Sequence, residues 1–189
     1  MSAAAALVLA LKPELRPEQV TQLLERTAVD LDPPGRDGFS GWGKLDIAAA
    51  LQAAVGSPAP PADRLEANDG AGSLAPELFG RRRELTATID YWDDDLDVYR
   101  VKLHAQQRIW VRLRGPAGTD ANLVLWKPGT QTVEGFSPRL QANRATQSAG
   151  AGSSEHFAYR APVGGWYYLE VKLATPGSGS YTLEYVKGR

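Results

Sequence analysis

The sequence of 189 residues contains no cysteine and only two histidines, His104 and His156. Without cysteine, neither a disulfide bond nor a thiolate metal site can stabilise the fold. Two histidines cannot supply a three-histidine zinc site. The formal net charge of -1 argues against a general nucleic-acid binder, because such a protein needs a clear positive excess to contact phosphates.

The sequence also lacks an apolar run of roughly 20 residues, the length that a membrane-spanning helix needs. The apolar run Ala3–Leu11 is shorter, and no Lys or Arg precedes it. Lys12 and Pro13 follow it where a signal peptide would have a cleavage site of small residues. These features favour a buried helix over a secretory signal peptide.

Residues 1–56 are predicted to form three helices, because their apolar residues recur at helical spacing. Ser2 is the expected N-cap of the first helix, Pro17 opens the second, and Asp46 caps the third. The proline-rich segment 57–62 then favours an extended linker between two domains.

In residues 63–189 the apolar period changes to that of a strand, with apolar and polar residues alternating between turn residues. The pattern predicts an antiparallel sandwich, jelly-roll-like, or a barrel, and therefore an α + β protein in two parts. The stretch 144–155, rich in small residues, is predicted to be a mobile loop. The predicted strands are DVYRVKL, RIWVRLR, NLVLWK, HFAYR, WYYLEVKL and SYTLEYV.

The first part of the chain resembles the C-terminal end of the catalytic domain of subtilisin-like serine peptidases (subtilases). The resemblance covers residues 3–54 and is carried by the segments Pro13–Val20, Thr27–Leu31, Pro34–Asp37 and Gly41–Ile47, in the family's order. It implies that residues 1–56 are the end of a subtilase domain and that the chain is part of a secreted serine endopeptidase.

The motifs that carry the Asp, His and Ser of the subtilase triad do not occur in this sequence. Acyl transfer by a triad needs all three side chains together, so we expect no catalytic residue here and no activity of the chain alone. The implied partner is the missing N-terminal part of the peptidase domain or a complementary chain.

Residues 63–189 resemble the bacterial pre-peptidase C-terminal domain, a β-sandwich attached to secreted peptidases. That resemblance implies an extracellular protein. The alternative function is a non-catalytic module that targets or stabilises a secreted protease. The resemblance is carried by Glu66–Leu78, Asp93–Leu103, Thr119–Trp126, Gly164–Val171 and Gly177–Tyr185.

The segment YWDDDLD concentrates carboxylates that repel one another unless a cation compensates them. Alternation in an extended chain places Asp93, Asp95 and Asp97 on one face and Asp94 on the other. Ca²⁺ prefers such oxygen ligands, and some members of the resembled family use matching positions for calcium. A solvated turn is the alternative. The candidate calcium ligands are Glu66, Asn68, Asp69, Asp93, Asp95 and Asp97.

A second candidate is an aromatic and basic surface around Trp110 and Arg112, placed beside Trp166 and Tyr168. Stacking and cation–π contacts from such a surface suit a polypeptide substrate or a cell-surface polymer. The alternative is ordinary cross-strand packing on an outer sheet face. Nucleic acid is not an expected partner, because acidic segments lie nearby in the sequence.

Overall fold

A computed structural model shows short N-terminal helices followed by two four-stranded antiparallel sheets that form a β-sandwich, which confirms the predicted fold class. The chain divides into two compact units, Met1–Pro61 with Tyr91–Asp93, and Ala62–Asp90 with Asp94–Arg189. The predicted linker lies largely outside the described residues, and the predicted domain boundaries stay predictions. The structure describes residues 1–31, 37–56, 61–92, 94–135, 137–175 and 177–188.

The helical unit consists of α1 (Ser2–Leu11), α2 (Pro17–Arg26) and α3 (Ile47–Gly56). The predicted Ser2 cap is wrong, because Met1 is the N-cap and no side chain caps α1. The predicted Asp46 cap is confirmed by the Ala49 amide, which donates to Asp46 Oδ1 at 2.9 Å. The apolar residues of one small core are Ala4, Val8, Val20, Leu23, Leu24, Ala50, Ala54 and Trp92.

The sandwich has the strand order of a jelly roll, with every pair antiparallel. The first sheet has the order β1-β8-β3-β6 and the second has the order β2-β7-β4-β5. The strands are β1 (Arg82–Asp90), β2 (Leu96–Leu103), β3 (Arg108–Arg114), β4 (Ala121–Trp126), β5 (Arg144–Ser148), β6 (Ser154–Arg160), β7 (Gly165–Leu173) and β8 (Ser178–Lys187).

The two sheets differ in how their outer faces are covered. The main core lies between the sheets and contains residues such as Ile109, Leu169 and Leu183, all fully buried. The second sheet has a further apolar layer on its outside, where Leu140 of the short helix α4 (Pro138–Gln141) joins Trp126 and other buried residues. The outer face of the first sheet is exposed instead, as the alternating exposure of β3 shows.

One prediction about the connections was wrong. The stretch 144–155 is not a loop throughout, because its first residues form β5, which pairs with β4 from Leu123↔Ser148 onward, and its last residues begin β6. The basic run 81–83 also belongs to an edge strand, because β1 begins at Arg82. In both cases the strand lies at a sheet edge, where polar residues hide the alternation.

No helix within the described ranges is long and apolar enough to cross a membrane.

Candidate metal centre

Three carboxylates meet at the start of the sandwich. Glu66, Asp94 and Asp97 each place one oxygen so that the three oxygens lie within 4.8 Å of one another. Asp94 and Asp97 are buried, and Glu66 is half-buried. Such a spacing of anionic oxygens matches the ligand demand of a hard divalent cation.

The loop 61–70 brings Glu66 to this position through hydrogen bonds to the neighbouring strands. The carboxylate of Asp63 accepts the Leu65 amide at 2.6 Å and the Thr88 amide of β1 at 2.8 Å. The Val98 amide of β2 donates to the Asn68 carbonyl at 2.8 Å. The loop is therefore fixed to both β1 and β2, on either side of the acidic turn.

Asp97 enters the cluster from β2, where its side chain points between the sheets. Its carboxylate accepts hydrogen bonds from Asn68 Nδ2 and from the hydroxyl of Tyr181 in β8. The Tyr181 and Tyr99 hydroxyls are in turn 2.6 Å apart. This buried polar chain fixes Asp97, because a buried carboxylate without partners would be strongly disfavoured.

Several buried oxygens of the cluster have no donor. In the part of the chain that the structure describes, Glu66 Oε1, Asn68 Oδ1 and Asp94 Oδ1 are buried and lack any hydrogen-bond partner. Buried polar atoms in folded proteins are nearly always paired. Three acceptors without donors at one site are what a cation would satisfy.

Burial and mutual repulsion raise the carboxyl pKa values throughout the cluster. The pKa of Asp94 is raised to about 11, first by burial and then by the charges of Asp97 and Glu66. Burial raises the pKa of Asp97 to about 7, although its hydrogen bonds from Tyr181 and Asn68 oppose the shift. Without a cation, the cluster therefore holds protons at neutral pH.

The predicted calcium ligands are only partly brought together. Glu66 and Asp97 belong to the cluster, and Asn68 contributes an unpaired buried oxygen. Asp69 does not join the cluster, because its side chain is exposed to solvent. Asp93 lies outside the described residues.

Asp94 was predicted to point away from the other carboxylates, which is wrong. The alternation that predicted its direction holds only for an extended strand. Asp94 instead lies in the turn between β1 and β2, where the Asp90 amide donates to its carbonyl at 2.9 Å. Tyr99 and Tyr181 were also missed, since nothing in a local sequence window indicates that they reach Asp97.

The four predicted substrate-binding residues do not form one surface. Trp110 and Arg112 lie in β3 on the exposed outer face of the first sheet. Trp166 and Tyr168 lie in β7 of the second sheet, and Tyr168 is buried in its outer apolar layer. A binding role for any of them stays a prediction.

A comparison with family models matches residues 95–173 to the bacterial pre-peptidase C-terminal domain. No curated protein sequence matches the chain significantly.

Among solved structures, the chain is similar to the pre-peptidase C-terminal domain of a collagenase from Bacillus anthracis, with 19% identity and a TM-score of 0.45. That match covers 68% of this chain and 99% of the other. It is also similar to PliG, a periplasmic inhibitor of g-type lysozyme, from Aeromonas hydrophila, with 18% identity and a TM-score of 0.43 over 60% of this chain and 95% of that one.

Proposed function

We propose that this chain, which contains a pre-peptidase C-terminal β-sandwich at residues 95–173, is the non-catalytic C-terminal part of a secreted bacterial subtilisin-like serine peptidase. The match to the pre-peptidase C-terminal domain carries this proposal, because that module accompanies secreted bacterial peptidases. The sandwich is then the accessory module, and the helical unit is the end of the peptidase's catalytic domain.

The surface of α1 supports the assignment of the helical unit. Leu7, Leu9 and Leu11 are exposed by 47%, 39% and 49%, although the helix is apolar on nearly every side. Soluble proteins seldom leave such a helix uncovered. In a subtilase domain, a parallel sheet would cover this surface.

The two histidines support a non-catalytic role for the chain itself. His104 lies in the turn after β2, and its backbone amide donates to Gln107 Oε1 at 3.0 Å. His156 lies on the exposed face of β6. Neither imidazole pairs with a carboxylate in the described ranges, although a triad needs such a pair to orient its base.

A fluorophosphonate probe tests the non-catalytic assignment, because it labels an activated serine covalently. We expect no labelling of the full chain under conditions that label a subtilase control. Labelling that heat denaturation abolishes would contradict the proposal.

In the genome, we expect the reading frame upstream of Met1 to encode the missing Asp, His and Ser motifs, and an in-frame stop codon directly upstream would contradict the subtilase assignment.

We further propose that Glu66, Asn68, Asp94 and Asp97 hold a structural Ca²⁺. The donor set fits, because all four offer oxygens and three of those oxygens are buried without a donor. The ion would neutralise the clustered charge and tie the loop 61–70 to β2. The residues themselves hold the carboxylate oxygens close together at the position where the ion would bind.

Thermal unfolding of the full chain in Ca²⁺ and in EDTA at neutral pH tests this proposal. For a dissociation constant on the order of 10⁻⁵ M, about 1 mM Ca²⁺ contributes about 2.7 kcal/mol and raises the Tm by roughly 5–10 °C. Glu66→Gln should remove most of this increase, and the exposed Glu84→Gln should retain it. Equal Tm values for the wild-type chain in Ca²⁺ and EDTA would contradict a calcium site.

A further inference from the structure

The outer face of the first sheet, which we call the basic face, concentrates arginine. Strand pairing aligns its side chains in rows, such as Arg112 with His156 on one side and Glu184 on the other. Five arginines stand against two glutamates on a chain whose net charge is -1. The exposed or half-buried charged residues of this face are Arg82, Arg108, Arg112, Arg114, Arg160, Glu84 and Glu184.

Most of this positive charge is not neutralised within the protein. In the described ranges, the single ion pair on this face joins Arg82 Nη2 to Glu184 Oε1 at 2.7 Å. The remaining four arginines are exposed and have no carboxylate partner there. An unpaired group of guanidinium ions attracts anionic ligands and orients them.

A groove of about 460 Å³ crosses the basic face around Trp110. Arg112, His156 and Glu184 supply its polar walls, and Trp110 and Val186 supply apolar surface. Trp110 remains 42% exposed, whereas Trp126 of the second sheet is 1% exposed. The groove therefore offers an uncovered indole between cationic side chains.

The backbone of Gly188 positions the Trp110 indole. The Gly188 amide donates to the Arg108 carbonyl at 2.8 Å, which extends the pairing of β8 with β3. A Cβ at Gly188 would lie 3.1 Å from Cζ3 of Trp110, closer than ordinary van der Waals contact. The ring thus lies against the backbone at a position where a larger residue would displace it.

We propose that the basic face binds an extended acidic segment of a polypeptide, with an aromatic or apolar side chain against Trp110 and carboxylates against the flanking arginines. In β3, Arg108, Trp110, Arg112 and Arg114 follow one another at every second residue. Alternate side chains of any extended peptide have the same repeat, about 6.8 Å. A peptide lying along β3 therefore keeps several of its side chains in register with these four.

The two glutamates of the basic face disfavour a uniformly charged anionic polymer. Glu84 and Glu184 are directly paired across β1 and β8, so one side of the groove repels an unbroken row of phosphates or sulfates. A peptide avoids this repulsion, because its carboxylates can be spaced to meet only the arginines. Nucleic acid and anionic polysaccharide are consequently alternatives that the test separates.

Fluorescence anisotropy of a labelled peptide with the full chain tests this inference. The peptide Glu-Thr-Glu-Thr-Phe-Thr-Glu-Thr-Glu presents carboxylates on both sides of one phenylalanine. We expect saturable binding that weakens as NaCl rises from about 50 mM to about 300 mM, because exposed charges are screened. The matched peptide with Gln in place of Glu should bind much more weakly.

Variants locate the site. Arg112→Glu should weaken binding about fivefold or more, and Trp110→Ala about tenfold. Arg139→Glu changes the same charge on the exposed surface of α4, beside the second sheet, and should bind like the wild-type chain. Unchanged near-ultraviolet circular dichroism and Tm would show that each variant is folded.

The inference is overturned if the acidic peptide does not bind the folded chain, or if Arg112→Glu and Arg139→Glu weaken binding equally. Tighter binding of heparin or single-stranded DNA than of the peptide, lost in Trp110→Ala, would also overturn it. The inference deepens the proposed accessory role by naming the partner chemistry. Its failure leaves the fluorophosphonate and calcium results unaffected, because neither readout depends on a ligand bound to the basic face.

Discussion

The buried carboxyl of Glu170 makes the stability of the sandwich depend on pH. Glu170 lies in β7 on the covered outer side of the second sheet and is 3% exposed. Trp126 Nε1 donates to its Oε2 at 2.6 Å. Burial raises the pKa of Glu170 to about 7, against the opposing effects of Lys172, the Trp126 hydrogen bond and Arg144.

The direction of this pH dependence is set by whether the folded or the unfolded chain holds the Glu170 proton. Between pH 4.5 and about 7, the unfolded chain has lost the Glu170 proton while the folded chain keeps it. Folding stability is therefore fully present below pH 4.5 and falls as the pH rises towards 7. At 1.36 kcal/mol for each pKa unit, the loss is about 3 kcal/mol.

Glu170→Gln should remove this loss, because a glutamine does not titrate and its Oε1 still accepts the Trp126 hydrogen bond. We expect the variant to be about 2–3 kcal/mol more stable than wild type at pH 8 and within about 1 kcal/mol of it at pH 4.5. Urea unfolding at both pH values, followed by tryptophan fluorescence, measures the difference.

The difference between the two proteins isolates Glu170, since the acidic cluster around Asp97 titrates in both. Glu84→Gln, at an exposed position of β1, should show the same change in the free energy of unfolding between the two pH values as wild type. If the free energy of unfolding of Glu170→Gln changed with pH as much as that of wild type, burial would not be raising the Glu170 pKa and the reasoning would be refuted.

Three further predictions concern other parts of the chain. Tyr181→Phe removes a buried donor to Asp97 and should lower the free energy of unfolding by about 1–3 kcal/mol. An unchanged free energy of unfolding would indicate that water can replace the Tyr181 hydroxyl at Asp97. Gly43→Ala should destabilise the helical unit by at least about 1 kcal/mol in thermal unfolding, because Gly43 has φ +103° and a Cβ there would lie 2.2 Å from the Val29 carbonyl oxygen. We expect the full chain to aggregate through its exposed apolar helix, so Leu7→Gln should increase the monomer fraction in size-exclusion chromatography, and a fully monomeric wild-type chain would contradict this.

Much of the fold could be predicted because it follows from local periodicity. Period-2 alternation gave six of the strands, and β3 has the bounds of the segment RIWVRLR. The edge strands β1 and β5 escaped prediction, since their residues are largely polar or half-buried. Both of these strands bury only part of their surface, so their sequences carry little of the apolar pattern.

The candidate metal site could be predicted only in part. The acidic segment 93–97 and the loop residue Glu66 marked the right region, and resemblance to a known module contributed Glu66. Asp94 was assigned to the wrong side because a strand rule was applied to a turn. The buried oxygens without donors could not be foreseen, since satisfaction of a polar atom depends on every neighbour in space.

The sequence by itself determined the helical and β parts, the acidic turn and the alternating arginines of β3, because each arises from residues a few positions apart. Tertiary structure alone decided which distant residues meet. The jelly-roll order brings Tyr181 to Asp97 across 84 positions, and it separates Trp166 from Trp110 by placing β7 and β3 in different sheets. Strand order depends on how the whole chain buries its apolar surface, and no local pattern encodes that result.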